Sequence, residues 1–125
     1  MVIKRLSMQA EQMSSKLDLV LLDDYLDRLG KVIVEKMFTL YTQQVVIYLN
    51  DIENAQLSES STDWQTHCHK MKGAAASVGM SQLHAQLKVL EKTDASTAEK
   101  AVLLTELKVL NEDAIFTFKN WLASK

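Results

Sequence analysis

The sequence has no proline, and in 125 residues it holds only three glycines and one cysteine. Without proline and with so little glycine, a turn-rich all-β chain and a collagen-like repeat are excluded. The 47% apolar content also takes the chain out of the disordered class. The lone thiol, Cys68, allows no internal disulfide framework and suits a reducing compartment, so a cytoplasmic location is expected. Apolar runs such as residues 19–22 fall far short of the roughly 20 residues a bilayer span needs, and direct membrane contact is not expected. Lys4 and Arg5 are followed by no apolar core region, so the N-terminus does not read as a signal peptide. An excess of one charge is lacking too. Fourteen basic residues face sixteen acidic ones, and no basic stripe marks a nucleic-acid surface.

What is present is helical periodicity. The length predicts one domain over residues 1–125, able to bury about two-thirds of the surface of its extended chain. Val34, Met37, Phe38, Tyr41, Val45, Tyr48, Leu49 and Ile52 follow the 3/4 spacing of one helix face. Trp64, Cys68, Met71, Ala75 and Val78 do so next, after an N-cap expected at Ser61, Thr62 or Asp63. A third stripe runs through Met80, Leu83, Leu87 and Leu90, and a fourth through Leu103, Leu107, Leu110, Ala114, Phe118 and Trp121. Four amphipathic helices with short connections predict an all-α antiparallel four-helix bundle. A short helix near residues 22–29, ended by Gly30, adds to it, and residues 3–14 carry a weaker helical pattern. The aromatic residues Phe38, Tyr41, Tyr48, Phe116, Phe118 and Trp121 are read as core packing. The adjacent acids Asp23-Asp24 and Glu112-Asp113 diverge on a helix and are read as solvated surface.

The second long helix carries the chemistry. With its core face on Trp64, Met71 and Ala75, it turns His69 roughly 140° away, toward solvent. Lys72, Gly73 and Ala76 lie within about 60° of that direction. An exposed imidazole therefore stands beside a lysine and a strip with almost no side chains. Gly73 costs about 1 kcal/mol relative to alanine inside a helix, which a purely structural helix avoids. Exposure, a neutralising cation and a clear approach path suit a histidine that takes a phosphoryl group on a ring nitrogen. On spacing alone, a solvated histidine next to a tolerated glycine accounts for the pattern equally well. A zinc site at His67-Cys68-His69 does not, because residues two apart on a helix point roughly 200° from each other. Cys68 falls on the core face, and His67 and His84 are read as structural.

The segment His69-Lys70-Met71-Lys72-Gly73-Ala74-Ala75-Ala76-Ser77-Val78-Gly79 resembles the signature of histidine-containing phosphotransfer (HPt) domains. Leu26, Leu29 and Gly30, then Met37, Phe38 and Tyr41, resemble the family's first short helix and the start of its second. Leu83, Leu87, Leu90 and Glu91 resemble the helix after the active one. The resemblance covers about residues 20–122, leaves 1–16 as an N-terminal extension, and is nearest to the C-terminal modules of tripartite hybrid sensor kinases of the Arc and Tor type. Tyr41, where phenylalanine is commoner, and His67 are mild departures.

This resemblance implies that His69 is the phosphoacceptor through Nε2 and that Lys72 assists electrostatically. It implies a docking surface of Gly73, Ala76, Gln65 and Met80, supported by Ser77 and Gly79. It also implies a monomeric relay module without a nucleotide site, cofactor or metal of its own, magnesium belonging to the partner receiver domain. Its partners are receiver domains of a hybrid kinase or a response regulator. It is either free-standing or the cytoplasmic C-terminal part of a membrane-bound sensor kinase. Two rival classes remain: a docking module that has lost phosphoacceptance, and an unrelated helical adaptor. The intact His69, Lys72 and glycines argue against both.

Overall fold

Asp18, Gly30, Ser60 and Ser96 mark where the chain breaks into helices. The computed structural model describes residues 13–125. After a helical turn at residues 13–16 come α1 (Leu19–Leu29), α2 (Lys31–Leu57), α3 (Ser61–Ser77), α4 (Ser81–Glu91) and α5 (Thr97–Ala123). No strand occurs among the described residues, and no helix there is long and apolar enough to cross a membrane. The helix expected over residues 3–14 lies mostly outside the described residues.

Local chemistry sets each boundary. Asp18 accepts the Leu21 amide at 3.1 Å, so α1 begins at Leu19 rather than near residue 22. Gly30, at φ +85°, ends α1 by donating its N–H to the Leu26 carbonyl, and its own carbonyl opens α2 by accepting from Val34. The cap of α3 is Ser60, not the expected Ser61, Thr62 or Asp63: its hydroxyl oxygen accepts the Asp63 amide at 3.2 Å. Any of four neighbouring polar residues has the right chemistry, and the tight end of α2 selects Ser60. Glu59, at φ +58°, turns the chain there, and the Ser60 amide bonds back to the Ala55 carbonyl. Ser96 caps α5 by accepting the Glu99 amide.

α2 packs on α3 and α5, and α4 closes the ring between α3 and α5. The connections are short, so successive long helices run antiparallel. Buried positions repeat at alternating steps of four and three: Val34, Phe38, Tyr41 and Val45 on α2, then Trp64, Cys68, Met71 and Ala75 on α3. On α5 the seam runs through Lys100, Leu104, Leu107, Asn111, Ala114, Phe118 and Trp121. The expected Leu103 and Leu110 are only half-buried, one residue off the seam. Two polar side chains hold this register. Asn111 accepts the Tyr41 hydroxyl at 2.7 Å in the core, and the Lys100 ammonium sits 5.2 Å from the Trp64 ring centroid. Phe116, expected in the core, is 64% exposed on the outer face of α5.

The Tyr41–Asn111 bond has a measurable consequence. Burial pushes the phenol's pKa up, which keeps it a donor. Tyr41→Phe leaves the amide oxygen of Asn111 buried without that donor, an expected loss of about 1–3 kcal/mol in urea denaturation. An unchanged midpoint would show that the pair adds nothing to stability.

The end of α3 is where α1 is fastened. The Gly79 amide bonds to the Ala76 carbonyl and the Met80 amide to the Ala75 carbonyl, closing a Schellman turn with Gly79 at φ +71°. The Gly79 carbonyl accepts the Asp18 amide at 2.7 Å, and the Tyr25 hydroxyl donates to the Ser77 carbonyl at 3.1 Å. α3 is thus held at its end, with His69 near its middle.

Candidate functional site

Burying Trp64, Cys68, Met71 and Ala75 forces the opposite face of α3 outward. Gln65, His69, Gly73 and Ala76 are all exposed there, on successive turns of one face. A Cβ added to Gly73 would meet nothing within 4 Å, and its backbone is ordinary helix. Nothing within the fold requires a glycine at that position. Met80 does not belong to this surface. It is 0% exposed, packed in the core at the start of α4, because the Schellman turn directs it inward. Ser77 is exposed, with its hydroxyl turned back onto the Ala74 carbonyl at 2.7 Å.

The His69 side chain is 67% exposed, yet one of its nitrogens is held. Nδ1 lies 2.6 Å from Oε1 of Glu91, the last residue of α4. The other carboxylate oxygen, Oε2, accepts from the Lys72 ammonium at 2.5 Å. Glu91 is only 11% exposed, so the anchoring carboxylate is mostly inside while the far edge of the ring faces solvent. Its carboxyl is held below the usual range, chiefly by the hydrogen bond from Lys72, with burial opposing and the His69 bond adding. An ionised carboxylate only accepts, so Nδ1 is the donor and Nε2 of the neutral ring carries the lone pair.

Glu91 is the site residue that motif spacing does not reveal, since it lies on another helix. A topological signal does exist. Gly79 folds α4 back along α3, so that His69, ten residues before the turn, meets Glu91, twelve after it. The Trp64 indole, donating to the Leu90 carbonyl at 2.8 Å, locks that register.

An open groove of about 540 Å³ runs beside His69 between α2 and α3, with Met37, Leu40, Tyr48 and Gly73 among its walls. Leu40 is exposed on α2, so an apolar surface adjoins the imidazole. The remaining candidates lie elsewhere. Cys68 is fully buried, and burial together with the Glu91 charge pushes its thiol up to about 12, leaving it inert as a nucleophile. His67 points toward α2, where its Nδ1 is 3.9 Å from the Asp51 carboxylate. His84 Nδ1 donates to the Lys72 carbonyl at 3.3 Å, a packing contact behind the site. Among the described residues, no three His, Cys, Asp or Glu side chains converge as a metal site would need.

Residues 36–115, most of the bundle and the whole of this site, match the family model of the Hpt domain. The chain belongs to the Hpt domain family. As an Hpt domain it is a histidine phosphotransfer module of phosphorelays, a relay element rather than a kinase catalytic domain, and domains of this family interact with receiver domains. Its fold is that of the histidine-containing phosphotransfer domain of ArcB from Escherichia coli. The TM-score is 0.80 at 22% identity, over 90% of this chain and 98% of that one. A solution structure of the same domain of the anaerobic sensor kinase ArcB gives 0.74 at 24% identity, over 86% and 88% of the two chains. No curated protein sequence matches the chain.

Proposed function

We propose that His69 is the phosphoacceptor of this Hpt domain, taking a phosphoryl group from the aspartyl phosphate of one receiver domain and passing it to another. The observation that carries this reading is an exposed imidazole with its inner nitrogen tied and its outer nitrogen free, next to a glycine that the fold does not need. The Nε2 lone pair forms the N–P bond in line with the breaking O–P bond, whose electron pair returns to the aspartate carboxylate. This chain supplies the oriented nucleophile, the cationic Lys72 one turn away, and a surface flat enough for close approach. Gln65, Gly73 and Ala76 on α3 and the groove wall at Leu40 on α2 form the docking face.

Gly73 separates docking from stability. Gly73→Gln places a long side chain on the flat strip and is expected to weaken receiver binding about tenfold or more. The same change replaces a poor helix former with a good one, so it should raise stability by up to about 1 kcal/mol. Titration calorimetry and thermal melts read the two effects separately. Unchanged affinity would remove Gly73 from the docking face. The reading as a whole is tested by incubating the protein with a phosphorylated receiver domain, where acid-labile, base-stable label on this chain is expected.

A further inference from the structure

The groove beside His69 holds polar groups that the fold itself does not use. We propose that the Tyr48 hydroxyl on α2 and the Lys70 ammonium on α3 form a seat for the phosphoryl group on His69, donating to its oxygens and prolonging the loaded state. The inference rests on His69 being the phosphoacceptor, and it gives a part to two residues that the pattern of His69, Lys72 and Gly73 leaves without one.

The protein has three tyrosines, and the fold commits two of their hydroxyls. Tyr25 donates to the Ser77 carbonyl at 3.1 Å and Tyr41 to the Asn111 amide oxygen at 2.7 Å. The Tyr48 ring packs against the core, as its place in the apolar stripe requires, but its hydroxyl has no partner among the described residues. Nor is that hydroxyl sealed in: among those residues, the one buried side-chain nitrogen or oxygen without a partner is Nδ1 of His67. A half-buried phenol with an uncommitted O–H is a donor kept for something outside the fold. The chain turn sets its place. Tyr48 lies eleven residues before Glu59 and His69 ten after it, so antiparallel α2 and α3 bring the two to one level, and both line the groove.

Charge points the same way. The Lys72 ammonium is committed to Oε2 of Glu91, and that pair is neutral as a whole. Lys70 is exposed, pairs with no carboxylate among the described residues, and shares the groove with no acidic side chain. An anion placed there meets an uncompensated positive charge. Holding Nδ1 of His69 at Glu91 on α4 turns the Nε2 edge away from α4, and Gly73 puts no side chain between that edge and the groove. A phosphoryl group on Nε2 brings strongly anionic oxygens to this place, where a phenol and an ammonium are free to donate. The Ser77 hydroxyl, also in the groove lining, already donates to the Ala74 carbonyl.

Such donors act on the lifetime of the loaded state. Hydrolysis breaks the N–P bond and returns its electron pair to Nε2, while water supplies the new O–P bond and releases a proton. The loose, metaphosphate-like transition state leaves less charge on the three phosphoryl oxygens than the bound group carries. Donors on those oxygens therefore favour the loaded state over its decay.

Phosphoramidate loads the protein without a receiver, so the seat can be read on this chain alone. The half-life of acid-labile label at neutral pH should shorten about threefold or more in Tyr48→Phe and in Lys70→Met. Lys70→Arg, which keeps a cation, should recover most of what Lys70→Met loses. Thermal melts of the unloaded variants should match the wild type, because neither group has a partner in the fold; a structural role would move the melt and leave the half-life alone. Carbon-13 NMR of tyrosine-labelled protein, with Tyr48 assigned by its loss in Tyr48→Phe, should show its Cζ signal shift on loading while those of Tyr25 and Tyr41 stay. An unchanged half-life in either variant, or a Tyr48 signal unmoved in loaded protein, would overturn the seat and leave His69 as phosphoacceptor. A wild type that takes no label on His69 would instead overturn the proposed function, and the seat with it.

Discussion

His69→Gln is expected to abolish phosphoryl uptake while leaving stability within about 0.5 kcal/mol of the wild type. The two halves of this expectation have different causes. Uptake requires a nitrogen lone pair at the exposed edge of α3, and an amide nitrogen has none to give because it is delocalised into the carbonyl. Stability hardly depends on the ring. It is 67% exposed, its one hydrogen bond is to Glu91, and Glu91 retains Lys72 when the ring is gone. Glutamine is also a good helix former and long enough to offer its NH₂ to the same carboxylate. Radiolabel transfer from a phosphorylated receiver, beside a thermal melt, checks both halves. Uptake by the variant at the wild-type rate would move the phosphoacceptor elsewhere; a collapsed melt would mean that the ring is structural.

The second large effect is expected at Gly79, and it has the opposite sign to that at Gly73. Gly79→Ala should destabilise the protein by about 3 kcal/mol, with a fall in Tm on the order of 10 °C. Gly79 sits at φ +71°, where a side chain is strained whatever the available space. Space is lacking as well: an added Cβ would stand 2.9 Å from both Cγ and Cδ2 of Leu22, a side chain buried in the core. Relieving that contact means moving α1 and loosening the Asp18–Gly79 hydrogen bond. At Gly73 the backbone is helical and a Cβ meets nothing, so a larger residue should stabilise. Two glycines six residues apart thus serve different ends, one the fold and one the surface. Chemical denaturation of the two variants side by side decides it, and equal shifts in the same direction would contradict the distinction.

Much of this was legible in the sequence because the core repeats strictly in steps of four and three. The seams of α2, α3 and α4 could be read from Val34, Trp64 and Leu83 onward, and they suffice to turn His69 outward. The α5 seam is harder to read, because it passes through Lys100 and Asn111. Polar letters look like surface, and Leu103 and Leu110 beside them offer a tempting false register. Only the partners Trp64 and Tyr41 make those burials affordable, and both are on other helices. Met80 carries two readings, the apolar stripe with Leu83, Leu87 and Leu90 and the docking surface that the family resemblance implies; the left-handed Gly79 reverses the chain and sends it into the core with the stripe.

The candidate site divides along the same line. Residues of one helix face, Gln65, His69, Gly73 and Ala76, are fixed relative to each other by helix geometry alone. Lys72 is expected beside the ring from its place on the same helix, and its contact in the structure is to Glu91. That contact crosses from α3 to α4, and its register depends on where the chain turns at Gly79 and on the Trp64–Leu90 bond. No single segment contains that information.

The most direct test of the central claim is to locate the phosphoryl group. Wild-type protein is charged from a phosphorylated receiver domain and examined by phosphorus–nitrogen NMR together with peptide mapping under alkaline conditions. The account predicts a single phosphoryl group, on Nε2 of His69. A phosphoryl group on His67 or His84, on the Nδ1 atom that Glu91 holds, or no label from any of a panel of receivers would contradict it.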